Sequence, residues 1–84
     1  MTEKEKLGEE VRKLREKIPS SDYNKDYISQ QELADNNIGL TKHFIGTIER
    51  GEANPTLEKL VYLGKSLNLK TINILNIEIN IDKF

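Results

Sequence analysis

Apolar residues at Leu7, Val11, Leu14 and Ile18 step by four, three and four, and the positions between them are mostly Glu, Lys and Arg. That spacing puts one oily stripe on a helix over about residues 3–18, and Pro19 stops it. Glu9 and Lys13 add an i,i+4 pair on its outer side. The stretch PSSDYNKDY at 19–27 has no apolar period and reads as a surface loop. SQQE at 29–32 has the form of a capping box, in which Ser29 accepts from the Glu32 amide and Glu32 reaches back to Ser29. It starts a short helix through Leu33 and Ala34 to about Asn37, and Gly39 suits a left-handed residue after its end.

Three more elements follow. Thr41 caps a helix over 42–50, with Gly51 as the residue that ends it. Thr56 caps a helix carrying Leu57, Leu60, Val61, Leu63 and Leu67. Thr71 is placed to cap a last short helix, INILN. Beyond it Ile77, Ile79 and Ile81 alternate with Glu78, Asn80 and Asp82, which is the period of a strand. The pattern as a whole predicts an all-α domain of five helices over 1–76, with a strand-like tail at 77–84. Three isoleucines on one side of the tail are expected to pack on a second subunit.

The helix at 42–50 carries the candidate chemistry. At about 100° per residue, Phe44, Ile45 and Ile48 share one side and face a core. Lys42, His43, Gly46, Thr47 and Arg50 share the other, with Gly46 at its centre and Glu49 at the border. A mid-helix glycine costs about 0.5–1 kcal/mol relative to alanine. It is expected on an exposed face that presses against something large and anionic, where the backbone must come close. In a major groove a Lys donates to guanine, a His donates to either acceptor of that base, and a Thr methyl packs on a thymine methyl. Read alone, the helix fits equally a plain solvated face with a tolerated glycine.

The neighbouring residues decide between these. SQQELAD, then IGLTKHFIGTIERG, then EANPTLEKLVYLGKSLNL, in that order and spacing, resemble the Cro/repressor (XRE-type) helix-turn-helix family of small DNA-binding regulators over residues 7 to 76. The resemblance implies a lambda-repressor-like fold whose third helix reads the major groove. It implies base contacts from Lys42, His43 and Thr47, and backbone contacts from Gln30, Thr41, Arg50 and Asn54. It also implies a structural pair between Glu49 and Arg15.

The chain departs from the family in two places. The loop between the first two helices is about twice the usual length. Either it is a plain surface loop, the simpler reading because loops absorb insertions cheaply, or it reaches the DNA backbone through Lys25. The interval from Ala34 to Gly39 is also one residue longer than usual. If Asn37 bulges out, Ile38 and Leu40 still reach the core.

Composition narrows the function further. A chain of 84 residues is one domain, and its net charge of −1 excludes a surface that is cationic all over but not a local basic face. Without cysteine there is neither a disulfide scaffold nor a thiolate metal site, and one histidine makes no metal centre. No cofactor is expected. With no glycine-rich phosphate loop and no paired carboxylates in a cleft, the chain does not read as an enzyme. The charged start MTEKEKLGEE is not a secretory signal, so a cytoplasmic, nucleoid-associated protein is expected, with no membrane partner. The expected function is a repressor-like regulator that binds a near-palindromic operator as a homodimer. The alternative is an interaction module or antitoxin of the same fold, whose main role is to bind a protein such as a toxin.

Overall fold

The computed structural model describes all residues from Met1 to Phe84. It contains four α-helices, α1 (Glu3–Arg15), α2 (Gln30–Asp35), α3 (Lys42–Glu49) and α4 (Leu57–Ser66), followed by strands β1 (Thr71–Ile74) and β2 (Ile77–Asn80) and one 3₁₀ turn at Ile81–Lys83. All four helices start on a hydroxyl cap: Thr2, Ser29, Thr41 and Thr56 accept from the amides of Glu5, Glu32, Phe44 and Lys59. Each cap satisfies an otherwise orphaned N–H and stabilises its helix by about 1 kcal/mol. Thr2 and Glu5 form the full reciprocal box. Ser29 and Glu32 do not, because the Glu32 carboxylate turns instead to Ser20 and Ser21 in the preceding loop.

The fifth helix is absent. Residues 71–74 form β1 and pair antiparallel with β2, Thr71 opposite Asn80 and Ile74 opposite Ile77. The physical reason is that the two-residue alternation begins at Ile72, not at Ile77. Ile72, Ile74 and Ile79 are all half-buried, while Asn73, Glu78 and Asn80 are exposed. Residues 77–80 of the tail are therefore one arm of a hairpin that starts inside the 1–76 region, and the 3₁₀ turn follows them. Ile81 packs within the chain, where its Cδ1 and the Cγ2 of Ile72 occupy the space a side chain at Gly64 would need. Leu75 and Asn76 make the turn with φ of 53° and 65°.

The core is one cluster that includes Val11, Ile28, Leu33, Leu40, Ile45 and Ile48, with Leu63 and Leu67 from α4. Leu33, Ile45 and Ile48 are the largest side chains fully removed from solvent, and each such burial stabilises by about 1.5–3 kcal/mol. α1 lies directly on α3. A Cβ on Gly8 would come within 2.8 Å of the Glu49 carbonyl oxygen, and closer still to that of Ile48. Helix α1 itself is shorter than its apolar stripe: regular hydrogen bonding ends at Arg15, and Lys17 and Ile18 continue as tight turns onto the carbonyls of Leu14 and Arg15.

Candidate nucleic-acid interface

The turn between α2 and α3 fixes how the third helix is presented. Gly39 adopts φ +88° and lies against the Tyr62 ring, where a Cβ would approach within 2.7 Å of Cδ2. Lys59 of α4 donates from Nζ to the Gly39 carbonyl at 2.7 Å, and its ammonium lies 5.6 Å from the Phe44 ring centre. Asn37 Nδ2 donates to the Leu33 carbonyl at 2.7 Å and closes the end of α2. The extra residue of this turn is absorbed by Ile38, which is 95% exposed, while Leu40 is buried. The arrangement in which Asn37 bulges out and both Ile38 and Leu40 reach the core is therefore corrected: Asn37 is held, Ile38 bulges out and Leu40 alone is buried. One residue between Asn37 and Gly39 must swing out, and Asn37 is tethered.

Beneath the helix pair is a buried ion pair. Arg15 Nε and Nη2 donate to the two oxygens of Glu49 at 2.7 and 3.0 Å, and Arg15 Nη1 donates to the Ile28 carbonyl at 2.8 Å. Both side chains are less than a tenth exposed. The hydrogen bonds from Arg15 to Glu49 push the guanidinium pKa further above its already high value, so this cation stays charged at any pH the fold survives. Glu49 also accepts from Gln30 Nε2 at 3.0 Å. One carboxylate thus ties α1, the start of α2 and the end of α3 together.

The remaining residues of α3 divide by exposure. Lys42 and His43 are exposed in its first turn, next to the exposed cap Thr41. Thr47 is half-buried and donates its hydroxyl to the Phe44 carbonyl at 2.7 Å, which leaves its methyl group and the oxygen lone pairs. Arg50 ends the helix, about half exposed, with Nε donating to Glu52 at 3.2 Å. Asn54 is exposed in the loop before α4.

Gly46 departs from the expected exposed centre: it is buried. A Cβ there would meet Arg50 Nη1 at 2.9 Å and Gln30 Oε1 at 3.4 Å. The glycine is used because the Gln30 and Arg50 side chains cross over it.

Lys42, His43, Thr47, Gln30, Thr41 and Arg50 thus lie on α3 or against it, and Asn54 lies beyond the helix end. Three contributors escaped the sequence reading. Gly8 sets the α1–α3 approach, Lys59 locks the α2–α3 turn, and Ile28 supplies the carbonyl that orients Arg15. Gly8 could have been flagged as a glycine inside a strong helix pattern. Nothing local marks the other two.

The chain is similar to control protein C.SmaI of Serratia marcescens, 39% identical over 72 residues, which is 86% of this chain and 75% of that protein. The chain belongs to the Cro/repressor (XRE-type) helix-turn-helix family of DNA-binding transcriptional regulators. No family model matches it. No solved structure matches it either. In helix-turn-helix terms α2 is the first helix of the motif and α3 the second, the position from which such proteins read the major groove. No helix of this family member is long and apolar enough to cross a membrane.

Proposed function

We propose that the protein is a sequence-specific, double-stranded DNA-binding regulator of transcription, repressor-like in action, that binds a near-palindromic operator as a homodimer. The observation that carries this is the split character of α3. Ile45 and Ile48 anchor it in the core, while Lys42 and His43 are exposed at its start and Thr47 lies one turn on. An α-helix with its side chains is about 10–12 Å across, a match to the roughly 12 Å width of a major groove.

Lys42, His43 and Thr47 read bases. Gln30, Thr41, Arg50 and Asn54 bind the backbone. Glu49 occupies one N–H of Gln30 Nε2, and the second is left for a phosphate oxygen. Arg15 and Glu49 touch no DNA but hold the reading helix in place. The exposed apolar residues at the hairpin end, Leu75 and Ile77, support a second copy as the partner. Among a phage-type repressor, an antitoxin and a restriction–modification controller, similarity to a control protein favours the controller.

Selection from random duplexes tests the reading. The bound pool is expected to hold an inverted repeat with half-site centres about 10 base pairs, or 34 Å, apart. A pool without enrichment, or binding to mixed duplex that does not weaken steeply with salt, refutes it and points to a protein-interaction module.

A further inference from the structure

The long loop between α1 and α2 contributes no buried side chain between Pro19 and Tyr27, yet it is tied down at several points. The Ile28 amide donates to the Ile18 carbonyl at 2.8 Å and closes its neck. The Glu32 carboxylate accepts from Ser20 Oγ at 2.7 Å, from the Ser21 amide at 3.0 Å and from Ser21 Oγ. Asp22 then accepts from the Asn24 amide through its side chain at 3.0 Å and from the Lys25 amide through its carbonyl at 2.9 Å. A loop that adds nothing to the core is thus held in one shape, and that shape fixes where Lys25 stands.

Lys25 lines a polar cleft of about 690 Å³ together with Tyr27, Ser29, Gln30 and Lys42. The loop and the proposed reading surface therefore border the same space. Two free cations, Lys25 and Lys42, face it. Arg15 at its floor is already neutralised by Glu49, and Asp26 is the one carboxylate on its wall. The Lys25 charge acts on the nearby Glu32 carboxylate without contact, and no carboxylate forms a salt bridge with its ammonium, which leaves its hydrogen-bond donors available to an outside anion. We propose that the clamped loop is an extra arm of the DNA interface, in which Lys25 binds a backbone phosphate beside the half-site read by α3. This rests on the DNA-binding reading above and adds a contact to it.

The test is equilibrium binding of the full chain to its selected operator and to mixed duplex, across a salt series, with Lys25→Gln and with Ser20→Ala/Ser21→Ala. Removing one phosphate contact lowers the slope of log K against log salt by about 0.9, which is about eight-fold in affinity at 0.1 M salt. Lys25→Gln is expected to lose that much on both duplexes alike, with an unchanged melting temperature because the side chain is exposed. The serine variant keeps the charge but frees the loop, so it is expected to weaken binding with the slope unchanged. Ethylation interference is expected to show one phosphate per half-site that matters to the unmodified protein but not to Lys25→Gln. An unchanged slope and affinity in Lys25→Gln, while the parent retains its steep slope, overturns the arm and leaves the DNA-binding reading standing. A loss confined to the selected operator also overturns it, because it marks a base contact. If the parent shows no salt-dependent binding at all, both readings fall together.

Discussion

Replacing Arg15 by methionine keeps most of the apolar stem and removes the cation under α3. The Glu49 carboxylate, about 6% exposed, then keeps only the Gln30 N–H as a partner, and the Ile28 carbonyl loses its donor. Breaking a buried pair from one side in this way costs about 3–5 kcal/mol, because the charge left behind can neither ionise freely nor reach water. A domain of 84 residues has a total stability of only about 4–13 kcal/mol. The single change therefore removes a large share of it, and a fall in melting temperature of at least about 12 °C is expected. Urea unfolding followed by circular dichroism measures the loss directly. The double variant Arg15→Met/Glu49→Met sharpens the argument. With the stranded charge gone it should be no less stable than Arg15→Met alone, because paired apolar replacements of buried ions are often neutral or better. A single variant within about 1 kcal/mol of the parent would mean that the pair behaves like a solvated surface contact. The account of how α1, α2 and α3 are held together would then be wrong.

Gly8→Ala gains about 0.5–1 kcal/mol of helix propensity but drives a Cβ into the backbone of Ile48 and Glu49. A net loss of about 1–3 kcal/mol is expected in the same unfolding assay. Lys42→Ala should cost about 1–3 kcal/mol on the selected operator and relax its sequence preference, which competition binding against single-base variants would measure. Leu75→Asn removes an apolar side chain, 87% exposed, from a left-handed turn position that suits asparagine. At a protein concentration low enough for the monomer to predominate, the melting temperature should rise by a few degrees, for a gain of about 1 kcal/mol, whereas in the dimer the lost subunit contact opposes that gain. The hydrogen bonds from Ser21 and Ser20 hold the Glu32 carboxyl below its ordinary pKa. A depressed folded pKa stabilises the loop clamp above the unfolded value, and the contribution disappears as the pH falls through the folded one. The Ser21 amide proton resonance should therefore stay constant near neutrality and move only once the pH has fallen below the ordinary glutamate range.

How far the sequence could be read depended on whether a feature is local or spatial. The four helices and the caps Ser29, Thr41 and Thr56 were legible because each cap acts on an amide three residues away, and the apolar stripes repeat within one turn. The left-handed residues Gly39 and Gly51 were legible for the same reason. Residues 71–74 were misread because Thr71 followed by INILN satisfies a capped helix turn as well as a strand. Only pairing with residues 77–80 decides between them. The turn itself gave no warning. Leu-Asn is not one of the pairs that signal a two-residue hairpin, since leucine pays steric strain at φ 53°. Gly46 was misread because a helical wheel places side chains around an axis and ignores what lies over them. The Gln30 side chain that covers it comes from another helix, sixteen positions earlier in the chain.

That covering also explains why a short third helix can be presented rigidly. α3 has eight residues, too few to hold its own shape in water. Its apolar side is fixed by Ile45 and Ile48, but burial alone would allow it to roll about its axis. The roll is restrained by directional contacts. Glu49 is gripped from α1 by Arg15 and from α2 by Gln30, the cap Thr41 fixes the first turn, and Lys59 holds the turn at Gly39 from α4. Gly46 is what lets Gln30 reach Glu49 across the helix, so the residue that weakens α3 locally is a condition of its orientation. On this view the outward residues Lys42 and His43 can change to suit a new target without loss of fold, whereas Gly8, Arg15, Gln30, Gly46 and Glu49 form a set in which each position limits the others.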